Sequence, residues 1–242
     1  MKKVSIKILI ILFILLFIPN QLLATITTKE NFESYADNDS MNGKAGGSGW
    51  AAAWSTSDSS VLVSNANPAN GSLSAEDVTD TGGAGDTQRT FTAASAGIIY
   101  ISIRDGDKTK GGANRGLLMG DAGHGNHILL FFGNTAGDIS IFFNGAYVKI
   151  NDDYTNNQWY RFGIEWDNAV QPDKIRYNVD GGAWSAWGTV NGSFSDLSLV
   201  KLYKATNAPA TTIAWDEINT EYAFESAATT SARRSPIIIQ EY

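Results

Sequence analysis

Trp159-Tyr160-Arg161-Phe162-Gly163-Ile164-Glu165-Trp166-Asp167 alternates without a break. Tyr160, Phe162, Ile164 and Trp166 point one way; Trp159, Arg161, Gly163, Glu165 and Asp167 point the other. Side chains that repeat every two residues define a β-strand with one buried and one exposed face, whereas a helix would mix the two sets. Ile99, Ile101 and Ile103 alternate with Tyr100, Ser102 and Arg104 in the same manner. Residues 127–132 and 139–143 are apolar on both faces, which places them near the middle of two packed layers.

Outward from this stretch, no segment after residue 26 sustains a 3.6-residue period, and Gly, Asn and Asp punctuate the runs. Asp180-Gly181-Gly182 separates residues 175–179 from 183–187, and Asn144-Gly145 separates 139–143 from 147–150, both as hairpin turns. Further runs at 60–64, 73–78, 88–92, 98–104 and 211–222 bring the total to about a dozen strands. Two bookends flank them: Asn31-Phe32-Glu33-Ser34-Tyr35 with Gly49-Trp50, and Ile213-Ala214-Trp215-Asp216-Glu217-Ile218. The expected fold is all-β, a two-sheet antiparallel sandwich whose first and last segments lie side by side.

Residues 1–24 have the layout of a secretory signal peptide: Lys2, Lys3 and Lys7, an apolar run over 8–18, then Pro19 and a short stretch ending at Ala24. The run is shorter than the ~20 residues of a spanning helix. Leu22 is an imperfect fit to the cleavage site, which leaves an uncleaved anchor as the second reading. Residues 25–222 then form one sandwich domain and 223–242 a small, polar tail or linker. An exported chain of this kind is secreted or held at the cell surface, with no stable membrane insertion after cleavage. Its formal charge of -7, more negative still without the three lysines, argues against nucleic acid as a partner. Without cysteine no disulfide is available, so stability must come from the core or a bound metal.

The stretches at 31–50, 97–105, 159–167, 179–184 and 213–218, read in that order, resemble bacterial secreted modules of the concanavalin A-like lectin/glucanase (laminin G-like) jelly-roll superfamily. The resemblance implies a jelly roll with two curved sheets, a concave face that meets carbohydrate in many relatives, and often a structural calcium ion. Glu33 and Asp216 fall in the segments that resemble the first and last strands, where a carboxylate from each end shares one ion. They are the candidate metal ligands; a strand-edge cap for Glu33 and a lysine partner for Asp216 are the plainer alternatives.

For carbohydrate, an aromatic face against the apolar side of a pyranose, ringed by hydrogen-bonding groups, is the required chemistry. Trp184 and Trp187 follow a tight turn where a ring is presented, although both could fold over the sandwich edge as core. Arg161 and Glu165 share the polar face of their strand and Arg104 ends another, so the three are candidates to line the sugar-binding face. The partner expected is a polysaccharide or glycan.

Hydrolysis of a glycan needs two carboxylates flanking one bond, and the resemblance implies that a hydrolase would carry them on a strand of Glu-x-Asp-x-Glu type. Glu165-Trp166-Asp167 lacks the third acid, while Glu217-Ile218-Asn219-Thr220-Glu221 has Asn219 where the middle aspartate belongs. No residue is therefore assigned catalysis, and a glycosidase acting through Glu217 and Glu221 ranks behind a non-catalytic binding module and a structural or adhesion domain. The glycine-rich stretch 105–127 reads as a long loop holding Asp105-Gly106-Asp107 and the only two histidines, His124 and His127. The acidic pair resembles the opening of a calcium loop, but Thr109, Lys110 and Gly111 break the order expected after it, and the two histidines have no clear third ligand, so a polar loop is the leading reading and a zinc site the second.

Overall fold

The computed structural model describes residues 26–56, 61–77, 87–112, 114–121, 123, 125–143, 145–169, 173–189, 196–205 and 211–221. The leader at 1–24, the tail at 223–242 and His124 lie outside the described residues. No helix occurs among the described residues, which carry fourteen strands. These are β1 (Ser55–Thr56), β2 (Val61–Ser64), β3 (Ser74–Asp77), β4 (Thr87–Ala94), β5 (Ala96–Asp105), β6 (Arg115–Gly120) and β7 (Asn126–Phe132). They continue as β8 (Ile139–Phe143), β9 (Ala146–Asn151), β10 (Trp159–Asp167), β11 (Lys174–Val179), β12 (Gly188–Thr189), β13 (Leu197–Lys204) and β14 (Ile213–Asn219). One seven-stranded sheet runs β12-β11-β10-β5-β14-β3-β2, the other β1-β4-β13-β6-β7-β8-β9, and every pairing between named strands is antiparallel.

The alternation of β10 and β5 sends Phe162, Ile164 and Trp166 with Ile99, Ile101 and Ile103 into the core, against Leu117, Met119, Leu130, Phe132 and Ile141 of the second sheet. The indole N–H of Trp215 donates to the carbonyl of Gly116 at 2.7 Å, so a ring from one sheet is anchored on the other. A Cβ at residue 116 would lie 2.1 Å from the Leu130 carbonyl oxygen, so glycine is required for that close strand approach. β6 lies inside the stretch expected to be a loop. Its flanking glycines hide a run, Arg115 to Gly120, that is buried at every position.

The bookends meet as expected. Glu30 and Ile218 exchange both backbone hydrogen bonds, at 2.7 and 2.8 Å, so the first segment is laid along β14. Asp180 and Gly181 both take positive φ, 50° and 70°, the geometry of a two-residue hairpin turn. The strand expected at 183–187 is instead irregular chain. Gly188 and Thr189 pair with β11 as a short strand, Ser185 donates its backbone N–H to the Tyr177 carbonyl at 2.8 Å, and Trp184 and Trp187 ride on this irregular segment.

The second sheet also carries apolar side chains on its outer side. Phe131 is packed by Tyr147 and Tyr203 with ring centroids 6.2 and 6.1 Å away, and Phe142 meets Tyr147 at 4.8 Å. This explains why β7 and β8 read as apolar on both faces.

Candidate functional site

The register of the first sheet sorts its outward side chains into cross-strand rows. Glu76, Ala214, Arg104 and Trp159 form the row at one end. Asp216, Ser102 and Arg161 follow, then Asn219, Tyr100, Gly163 and Asn178, then Ile98, Glu165 and Arg176. Arg104, Arg161 and Glu165 therefore do share one face. Six residues of β5 separate the rows of Arg104 and Glu165, about 20 Å at the rise of a strand, so the two belong to different ends of it.

At the Glu165 end, Arg176 links the predicted residues. Its Nε donates to Glu165 Oε2 at 2.6 Å. Its guanidinium lies over the rings of both Trp184 and Trp187, 5.1 and 4.6 Å from their centroids. Trp187 is 41% exposed, the most exposed tryptophan described, while Trp184 leans on Tyr100 at 6.3 Å. Tyr100 in turn lies across Gly163, where a Cβ would come within 2.6 Å of its ring. Burial is the main cause that raises the phenol's pKa. The result is a layered surface, with a floor of Tyr100, a pillar of Trp184 and Arg176, and one open indole face.

Arg161 sits between the two ends and is buried. Its guanidinium donates to Ser102 Oγ at 3.2 Å, Asn219 Oδ1 at 2.8 Å and the Glu221 carbonyl at 3.1 Å, and also to the Glu217 carbonyl. These bonds hold β14 where a bulge sets Asp216 to Asn219 against only Ser102 to Tyr100. The bulge breaks the alternation that would bring Glu217 and Glu221 onto one face. Glu217, at φ 51°, accepts from Asn70 Nδ2 at 2.8 Å and Asn219 Nδ2 at 3.4 Å.

The predicted metal pair meets the same short segment of chain. Asp216 Oδ2 accepts from the backbone N–H groups of Ala69 and Asn70 at 2.9 and 3.2 Å. Glu33 Oε1 accepts from Ser72 and Leu73 at 2.8 and 2.7 Å. Gly71 lies between, with φ 70° and a Cβ position only 2.5 Å from Glu33 Oε1, so glycine admits the carboxylate. Asp216 is fully buried, and burial raises its pKa to about 8 despite the N–H donors around it. The donor set is all oxygen, which suits a hard cation, and the neutral form that burial favours is what a nearby cation would reverse. Among the described residues no three His, Cys, Asp or Glu side chains cluster as a metal site, so the remaining ligands would be carbonyls or amides.

Arg104, at the far end, is held by Asn157. Its Nε donates to the Asn157 carbonyl at 3.1 Å and its Nη2 to Asn157 Oδ1 at 2.7 Å. It lines an open cleft of about 320 Å³ together with Glu76, Asp107 and Thr211.

Sequence reasoning missed Arg176, Tyr100 and Glu76. Arg176 and Glu76 face their partners only through strand register, and the β10–β11 connection over 168–173 admits several registers.

No protein-family model matches the chain, and no curated protein matches it. Solved structures do. A sialidase aligns at TM-score 0.53 and 13% identity over 69% of this chain. A cellulose-induced protein aligns at 0.52 and 12% over 82%, and the receptor-binding domain of a botulinum neurotoxin C/D mosaic serotype at 0.53 and 11% over 83%. The chain spans 17% of that sialidase and 48% of the toxin domain, but 99% of the cellulose-induced protein. At these identities the likeness establishes the fold: a β-sandwich of the kind these proteins share.

Proposed function

We propose that this chain is an exported, non-catalytic β-sandwich module of the concanavalin A-like type that binds a polysaccharide or glycan at or outside the cell surface. The observation that carries the reading is the Trp184–Arg176–Trp187 stack beside Glu165. An indole face held flat by a guanidinium suits the apolar side of a pyranose, and the neighbouring charged groups suit its hydroxyls. The sialidase and the cellulose-induced protein among the structural neighbours support it weakly. Retention on insoluble polysaccharides, or signal on a glycan array, tests it. Trp187→Ala is expected to weaken binding at least tenfold with an unchanged melting temperature, because an exposed ring contributes little to folding. Wild-type protein that no saccharide retains would refute the reading.

A calcium ion at Glu33 and Asp216 belongs to the same proposal. Those residues would hold the ion through their carboxylates and fix the 69–73 segment against both ends of the chain. Without the ion, folded Asp216 keeps its proton to about pH 8, whereas the unfolded group releases it near 3.8. The folded state then binds the extra proton between those values, so this group's contribution to stability declines as pH rises across that window. Calorimetry in EDTA should show that decline, flattened in Asp216→Asn. Millimolar calcium should raise the melting temperature at pH 8, since a hundredfold excess over Kd stabilises the folded state by about 2.7 kcal/mol. No calcium response at pH 8 would remove the ion from the account.

A further inference from the structure

The cleft at the Arg104 end is built from charged and polar groups that the fold leaves underused. Ala214 stands between Glu76 and Arg104 in the cross-strand row, and its small side chain lets the two longer ones lean over it. The Glu76 side chain is 5% exposed and that of Arg104 11%, yet Nη1 and Oε1 are 3.9 Å apart, beyond hydrogen-bond reach. Among the described residues this contact is the one polar partner of the Glu76 carboxylate. Thr211 Oγ1 on the cleft wall is also buried without a hydrogen-bond partner among the described residues. A buried hydroxyl without a partner is uncommon in folded proteins, and here it stands beside a carboxylate and a guanidinium Nη1 that both open onto the cleft.

The frame around the cleft is firm. Asn157, at φ 60°, fixes Arg104 from one side and donates its own N–H to the Asp105 carbonyl at 2.8 Å. Gly106 donates to the Thr212 carbonyl at 2.9 Å, tying the cleft's rim to the segment that leads into β14. The described lining residues Asn67, Glu76, Arg104, Asp107, Asn157 and Thr211 carry hydrogen-bonding side chains and no aromatic ring, so what they offer a ligand is hydrogen bonds.

The chemistry of the unfilled pair selects the ligand group. A carboxylate only accepts, a guanidinium only donates, and a hydroxyl does both. A hydroxyl placed between Glu76 and Arg104 donates to one and accepts from the other, and a neighbouring hydroxyl reaches Thr211 or Asn157. An acidic ligand would face Glu76 and Asp107, and an ammonium ligand would face the guanidinium. At about 320 Å³ the cleft is at the small end of ligand pockets, which begin near 300 Å³, and is far larger than the ~30 Å³ share of one water.

We propose that the Glu76–Arg104 cleft is a second saccharide subsite, separate from the tryptophan surface, that takes an uncharged sugar residue through a pair of adjacent hydroxyls. This rests on the carbohydrate-binding reading above, and the test separates the two. Full-length mature protein is titrated with methyl glucoside, methyl galactoside and methyl mannoside, and with glucuronic acid, while the arginine Nε–H resonances are followed by NMR. Lys replacement of Arg104 assigns its signal. At least one neutral glycoside is expected to shift the Arg104 signal with millimolar affinity, and glucuronic acid to bind at least tenfold more weakly. Glu76→Gln, followed on the Arg104 signal, and Arg104→Lys, followed by titration calorimetry, should each weaken the neutral glycoside at least tenfold, while Trp187→Ala leaves the Arg104 response unchanged.

Cleft variants that bind like wild type, beside a Trp187→Ala protein that has lost polysaccharide, would overturn the subsite and leave the proposed function standing. Preference for glucuronic acid would likewise overturn it. Absence of all saccharide binding by the wild type would overturn both. Circular dichroism and melting temperature accompany each variant, and Glu76→Asp, which keeps the charge, should bind better than Glu76→Gln if the carboxylate is the acceptor.

Discussion

Replacing Glu30 with alanine is expected to destabilise the fold by about 3–5 kcal/mol, the cost of breaking a buried ion pair by removing one partner. Glu30 Oε2 accepts from Arg89 Nη1 at 2.7 Å, the Tyr35 hydroxyl at 2.8 Å and the Trp54 indole N–H at 3.1 Å. Its Oε1 accepts from the Phe32 backbone N–H at 3.0 Å. Glu30 and Arg89 are almost wholly buried, so neither can turn to water for compensation. Burial lowers the pKa of Arg89, with Glu30 opposing, and burial followed by the Glu30 charge raises that of Tyr35. Phe32 is held at φ 61°, unusual for an aromatic residue, and the bond to Glu30 is part of what keeps it there.

Urea unfolding followed by tryptophan fluorescence reads the effect. Glu30→Gln should lose nearly as much, since it keeps the shape but strands the guanidinium. The double variant Glu30→Leu, Arg89→Met should recover a large part of the loss, because no charge then remains unpaired. A loss below about 1 kcal/mol for Glu30→Ala would show that the hub does not hold the first segment.

The second large effect is expected at Asp105. Its carboxylate receives Arg115 Nε at 2.5 Å and Nη2 at 2.8 Å, together with the Tyr154 hydroxyl. Asp105 ends β5 in one sheet and Arg115 begins β6 in the other, so the fork joins the two layers where the core is capped. Arg115 also donates to the carbonyls of Asp107 and Lys110 at 3.0 and 3.1 Å, which fixes the loop between those strands. Asp105→Ala leaves a buried guanidinium and phenol facing a void, again about 3–5 kcal/mol. Tyr154→Phe removes one hydroxyl and should cost only about 1–2 kcal/mol. The ordering of these two variants is the informative result: if Tyr154→Phe is the more damaging, the fork is not what joins the layers.

Much of the architecture was readable from local pattern. Period-2 alternation in Trp159 to Asp167 and in the isoleucines at 99, 101 and 103 specifies strands, because a one-residue slip would turn Phe162 and Trp166 into water. The meeting of the bookends was also legible, and Glu30 and Ile218 realise it. β6 was hidden because glycines bracket it and because Gly116 serves a close strand approach that sequence does not distinguish from a turn. The irregular course of 183–187 was hidden for the opposite reason, since its aromatic residues mimic a strand.

The candidate site divides along the same line. Sequence placed Arg104, Arg161 and Glu165 on polar strand faces, since parity along a strand is a local property. It could not tell that Arg161 would be spent on β14, that Arg176 would lie over two tryptophans, or that Glu76 would reach Arg104 across Ala214. Those pairings bring together residues from 8 positions apart, Arg176 and Trp184, to 60 apart, Arg161 and Glu221, and the strand register behind them is set by the packing of the whole core. The sequence by itself determined the β class, the turn positions and the polar and apolar sides of each strand, because those follow from the two-residue period and turn chemistry. Only the tertiary structure decided which polar side chains satisfy one another and which face the solvent unfilled, because hydrogen bonding between strands depends on distances that no local pattern contains.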